Sequence, residues 1–227
     1  MVLLNTEHIH QKIFDVYKDC DIHSFPIDCF SILAHYGFRI VTYQEIQKQK
    51  PDLYTAVSNY SEDAFRFRMT IYYNSIKNTG RSRFSLMHEL GHYILGHTEE
   101  TDQNEDEADY FASCMLAPRV AIKKMNCSTA EDLHTTFGLS YAAANRTIVN
   151  YNEWCKKERT SLDNHLSLWI FDKETYLKHQ AALIEWQKVR RKTRRQLEER
   201  ERIVNMFIGY YQTHGEEILE RQRLGFE

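Results

Sequence analysis

His88-Glu89-Leu90-Gly91-His92 constrains the fold more than any other stretch of the chain. On a helix, His88 and His92 stand i, i+4, so both imidazoles leave one face and can grip a single ion. Glu89 sits one step round, beside the ion but not on it, which suits a general base acting on water at the metal. The flanks fit a helix. Phe84, Met87, Gly91, Ile94 and Leu95 recur at helical spacing and are expected to face the core, opposite the histidines. Gly91 lowers helix stability by up to ~1 kcal/mol relative to Ala. Its presence calls for close approach of another backbone, or for room beside the ion.

A second helix follows from Glu105, stopped by Pro118. Glu105, Ala108, Asp109 and Ala112 share one of its faces, which offers two carboxylates and two small residues that permit close helix packing. Glu105 is read as the third ligand. Asp109 is read as the acceptor for the free N–H of a ligand histidine, fixing its tautomer. Glu107 points elsewhere; with Asn104 as N-cap it would stand at N3 and close a capping box. Glu99, Glu100, Asp102 and Asp106 read as favourable charge near a helix N-terminus. His97 falls one residue short of the third histidine of H-E-x-x-H-x-x-G-x-x-H, which would lie at Thr98. It is read as structural, and Tyr93 also falls off the ligand face.

The runs F-S-L-M-H-E-L-G-H-Y-I-L-G-H, E-D-E-A-D-Y-F-A and M-L-A-P together resemble the ImmA/IrrE-type metallopeptidases, compact zincin-like proteins of bacteria and their mobile elements. The resemblance extends over approximately Phe25 to Tyr151. It implies zinc held by His88, His92 and Glu105, with Glu89 as the catalytic base. It also implies intracellular, regulated cleavage of a repressor or similar regulator. Two departures stand out. The stretch from His92 to Glu105 is shorter than in many relatives, and Asp109 stands where many carry Asn, which keeps the acceptor and adds a charge.

At 227 residues the chain suits one substantial domain plus an appendage. A net charge of −3 is too balanced to announce nucleic acid or membrane. The five cysteines form no C-x-x-C pair and read as reduced thiols. Met1-Val2-Leu3-Leu4 turns polar by Asn5 without a basic leader, and no apolar run is long enough to span a bilayer. A cytoplasmic protein is expected.

Along the chain, Thr6 to Lys18 reads as an amphipathic helix burying Ile9, Ile13, Val16 and Tyr17. Pro26 opens another, with Cys29, Phe30, Leu33 and Ala34 inward, ending near Gly37. Phe38–Tyr43 and Phe65–Tyr73 alternate as strands, separated by a polar, looping Gln44–Glu62. The expected fold class is α+β: a small zincin-like core at 1–118, with a short antiparallel sheet and the metal-site helices. A helix-turn-helix-like segment at 119–157 packs on that core, and a helical C-terminal extension occupies 158–227. The Ile71-Tyr72-Tyr73 end of the sheet is placed nearest the cleft, where an extended substrate could add to an edge strand.

Gly138 can turn the chain between two helices, and Ser140 can cap the second. That second helix offers alanines where a DNA reader needs long polar side chains, with only Asn145 and Arg146 for a base or phosphate. After the apolar stretch Leu166–Phe171, a basic helix begins at Glu174 and a further helix, Ile203 to about Gln212, is expected to fold back on it. The activity expected is zinc-dependent hydrolysis of a regulatory protein, with an activating partner possible and nucleic acid left open. The alternative is a zinc-containing module that binds a protein or DNA and cleaves nothing.

Overall fold

Side-chain caps start most of the helices. Asn5 accepts from His8 N, Asp28 from Phe30 N and Ser31 N, Thr101 from Asn104 N, and Ser140 from Ala143 N. Thr42/Glu45, Thr129/Asp132 and Thr160/Asp163 form reciprocal capping boxes. The computed structural model describes residues 5–223, and of Phe207 and residues 210–223 the backbone alone. The Met1–Leu4 reading and the side chains of Phe207 and Tyr210 therefore lie outside the described residues.

The elements are α1 (Thr6–Asp19), α2 (Cys29–His35), β1 (Arg39–Thr42), α3 (Tyr43–Gln49), α4 (Pro51–Tyr60), β2 (Ala64–Phe67), β3 (Thr70–Tyr73), α5 (Thr79–Leu95), α6 (Asp102–Leu116), α7 (Arg119–Lys124), α8 (Ala130–Phe137), α9 (Tyr141–Cys155), α10 (Ser161–Phe171) and α11 (Lys173–Arg223). This is an α+β fold with a helical C-terminal region. The chain divides into two compact units between Lys173 and Glu174.

The sheet runs β1-β3-β2. One of its two pairings is parallel, β1 with β3, so the sheet is mixed where an antiparallel one was expected. The single strand expected over Phe65–Tyr73 is a tight hairpin. Phe67 pairs Thr70, and Arg68 takes φ 54° in the two-residue turn. Gln44–Glu62 is helical rather than looping: α3 starts at its capping box and α4 at Pro51, in the first turn. Their sparse apolar residues, Tyr43, Ile46 and Val57, meet Leu53, Tyr54 and Phe65 in a small cluster behind the sheet.

The main core of the first unit is α1 against α5, α6 and α10. Ile9, Ile13, Val16 and Tyr17 are buried as expected. The Tyr17 hydroxyl donates to Met115 O at 2.7 Å, and Trp169 Nε1 donates to Tyr17 O at 3.0 Å, so the buried phenol and indole are both satisfied. In α2 the inward face is Cys29, Ile32 and Leu33; Phe30 and Ala34, one turn apart, share the exposed face instead of the buried one expected. In α5 the buried stripe is Leu86, Met87, Leu90 and Gly91. Met87 and Gly91 fall where expected, whereas Phe84 turns to the cleft.

α11 is one continuous helix through Ile203–Gln212, so no further helix folds back there. A lone Gly209 costs a helix about 1 kcal/mol, too little to end one made mostly of good formers. Within α11, Lys178–Glu174 and Arg194–Glu198 pair at i, i+4 across its exposed surface. No described helix is long and apolar enough to cross a membrane.

α5 and α9 begin against each other. A Cβ on Gly80 would lie 2.3 Å from Ser140 N and 2.7 Å from Leu139 C, both backbone atoms that cannot step aside alone. Gly80→Ala is therefore expected to destabilise the protein by about 1–3 kcal/mol, read as a lower urea midpoint; an unchanged midpoint would show that this contact is not tight in solution.

Candidate metal centre

Two neighbouring helices carry every candidate ligand. α5 presents His88 and His92 one turn apart, and α6 lies close enough for Glu105 to face both. Gly91 permits that approach: a Cβ there would stand 3.0 Å from Phe111 Cδ1 and 3.3 Å from Ala108 Cα. Ala108 and Ala112 are fully buried on the facing side of α6. α6 starts at Thr101, which corrects Asn104 as the cap; Asn104 Nδ2 instead donates to Glu99 O at 2.7 Å.

His88 Nε2 and His92 Nε2 are 2.9 Å apart. Glu105 Oε2 is 3.3 Å from the first and Oε1 is 3.4 Å from the second. Ligands of a tetrahedral zinc at ~2.0–2.2 Å stand ~3.3–3.6 Å from one another, so the three groups are near the required spacing. The hydrogen bonds decide which nitrogens carry protons. Asp109 Oδ1 lies 2.8 Å from His88 Nδ1, and a carboxylate only accepts, so His88 Nδ1 donates, and in the neutral ring Nε2 is then bare. His92 Nδ1 lies 3.0 Å from His97 Nδ1, and His97 Nε2 lies 3.3 Å from Glu107 Oε2. Glu107 accepts from His97, whose Nδ1 then accepts from His92, leaving His92 Nε2 bare as well. With both rings neutral, two lone pairs and a carboxylate converge. A cation satisfies that arrangement.

His97 and Glu107 escaped the sequence reading. Glu107 does not close a capping box at its helix start; it points at His97, and both side chains are largely buried. The Gly96 turn, with φ 75°, folds His97 back over the last turn of α5. Their only sequence signal was a histidine shortly after the motif and an acid two residues from Glu105. Tyr93 leaves the site and packs on Phe38 at 5.0 Å between ring centroids.

The three groups open into a cleft of about 1060 Å³. One wall is the β2 segment, including Ala64 and Arg66; the other is the start of α9, including Tyr141 and Arg146. β2 is a sheet edge and β3 is central, so β2 replaces the Ile71–Tyr73 end as the strand along the cleft. Arg81 on α5 grips Asp63 just before β2 in a two-pronged ion pair, Nε to Oδ1 at 2.7 Å, which ties that wall to the metal helix. Glu89 also lines the cleft. Burial raises its pKa, partly offset by the positive His88 and Arg66 and helped by Glu105.

Residues 47–149 match the family model Peptidase_M78, the IrrE N-terminal-like domain. Over this segment the chain is similar to the ImmA/IrrE family. The match takes in both cleft walls and all of His88, Glu89, His92, Glu105 and Asp109, over slightly less than half of the chain. The earlier-starting resemblance from Phe25 lies partly outside it. No curated protein and no solved structure matches the chain. Both α5 and α6 lie wholly within the matched segment, whereas α1, α2, β1, α10 and α11 lie outside it.

Without metal, the two histidines are expected to titrate apart. Burial opposes charge on His88, but the Asp109 hydrogen bond and charge, with Glu89 and Glu105, outweigh it and raise its pKa. Burial, then the neighbouring His88 and His97, lowers His92 to about 4. His88 thus contributes stability below its unfolded pKa of ~6.5 that is lost as pH rises through its higher folded value. His92 contributes stability above ~6.5 that is lost as pH falls towards about 4. Imidazole NMR of the zinc-free protein checks the order; His92 titrating above His88 would contradict the hydrogen-bond assignment.

Proposed function

We propose that the chain is a zinc-dependent endopeptidase that cleaves a regulatory protein, a repressor or other transcription regulator, in the cytoplasm. The observation that carries this reading is the convergence of two imidazole Nε2 atoms and one carboxylate in an open cleft, with a half-buried Glu89 beside them. The peptidase-family match over the same residues supports it. His88, His92 and Glu105 would hold the ion, and Asp109 would orient His88. Zinc, when bound, polarises a carbonyl and lowers the pKa of water to about 7.

Glu89 takes a proton from the attacking water and passes it to the leaving amine. A base needs a pKa near the working pH, and burial moves Glu89 in that direction. Arg66 lies on the same face of β2 as buried Ala64, and its charge is felt by both Glu89 and His92. Its Nε has no hydrogen-bond partner among the described residues. Arg66 is thus the chain's candidate for the donor that meets the developing oxyanion. The free edge of β2 offers unpaired backbone groups to an extended peptide, which favours a substrate presented as a strand.

A Glu89→Gln variant is expected to keep near-stoichiometric zinc and to lose cleavage by at least ~10²-fold. The measurement is zinc per chain by elemental analysis, together with disappearance of co-expressed candidate repressors on gels. A variant that still cleaves would remove Glu89 from the mechanism. A zinc-loaded wild type whose cellular effect survives the substitution would favour a binding module that hydrolyses nothing.

A further inference from the structure

The chain from His92 through His97 to Glu107 uses groups that no hydrolytic step requires, and it is buried. His92 Nδ1 and His97 Nδ1 are 3.0 Å apart, and His97 Nε2 is 3.3 Å from Glu107 Oε2. His97 and Glu107 side chains are 7% and 15% exposed, so water does not readily replace either partner. Gln103 Nε2 donates to the other Glu107 oxygen at 3.0 Å, steadying the carboxylate. On the opposite side His88 leans on Asp109 directly, with no intervening ring. The two ligand histidines are therefore oriented by different devices: a carboxylate in contact, and a carboxylate acting through a second imidazole.

We propose that His97 and Glu107 are positioning residues that hold His92 in the tautomer able to bind zinc. Glu107 accepts the Nε2 proton of His97. His97 Nδ1, left bare, accepts the Nδ1 proton of His92, and the His92 Nε2 lone pair is thereby directed at the ion. Removing Glu107 frees His97 to place its proton on Nδ1. That nitrogen then presents N–H to His92 Nδ1, so His92 must either give up the contact or carry its proton on Nε2, where it blocks the metal. An orienting group of this kind typically alters metal affinity 10–100-fold. The relay also explains why the chain leaves α5 through a left-handed Gly96: a continuing helix would carry residue 97 past the ring it must meet.

This inference rests on the zinc reading above, and the test separates the two. Zinc affinity is measured by chelator competition for the full chain and for Glu107→Ala, His97→Phe and the double variant, with melting of each zinc-free protein alongside. Each single change is expected to weaken zinc binding 10–100-fold, and the double variant to bind no worse than His97→Phe alone, because the two act in series. A wild type that takes up no zinc would defeat the metal reading and the relay with it. Wild-type zinc uptake with unchanged affinity in the variants would defeat the relay alone, even if their melting temperatures fall. Nitrogen-15 histidine NMR of the zinc-loaded wild type gives a reading independent of any variant's folding. His97 should appear as the Nε2–H tautomer and His92 as Nδ1–H; His97 protonated on Nδ1 would overturn the proposal.

Discussion

Two imidazole nitrogens and a carboxylate, each within 3.4 Å of the other two groups, repel when unprotonated unless something positive lies among them, and the first unit of this chain is arranged to keep them there. Proximity comes from helix packing: Gly91, Ala108 and Ala112 remove the side-chain bulk that would separate α5 from α6. Orientation comes from hydrogen bonds, Asp109 on one histidine and His97 on the other. The supporting structure follows from those needs. Tyr17 fastens α1 to the end of α6 through Met115 O, and Trp169 fastens α10 to α1 through Tyr17 O, so the helix bearing Glu105 is braced by α1. The Arg81–Asp63 pair fixes the sheet edge to the helix bearing the histidines.

The parts of this arrangement set by short periodic spacing were legible in the sequence. His88 and His92 share a face because they are one turn apart, and Glu105, Ala108, Asp109 and Ala112 share another for the same reason. The reason for Gly91 was also available as one of two options, and the structure selects backbone approach. What spacing could not reveal depends on long-range packing or on turns without a usual signature. Arg68-Met69 turns a hairpin although neither residue is Gly, Asn or Asp, so the strand was read straight through it. α3 and α4 carry few apolar residues and looked like loop. Their cluster is completed by Val41, Phe65 and Tyr72 of the sheet, which no local spacing reveals. The capping box at Thr42 and Glu45 was the signal that could have found α3.

His97 illustrates a different kind of blindness. Its place in the sequence matched no third-ligand pattern, and that reading was sound as far as ligation goes. Its partner is not the ion but a ligand's far nitrogen, a relation that arises only after Gly96 reverses the chain. Glu107 likewise read as the N3 partner of a capping box until the cap proved to be Thr101 rather than Asn104.

The edge strand β2 is four residues long, which at ~3.3 Å per residue gives a rail of roughly 13 Å. A peptide can lie along it only if its own backbone donors and acceptors are free, and in a folded helix or sheet they are already taken. Under the hydrolytic reading, the enzyme therefore senses local unfolding in its target. On that reading, segments that open readily would be cut and well-packed ones spared whatever their side chains. Anything that loosens a short stretch of the target, or braces it, would then set its lifetime without touching the enzyme.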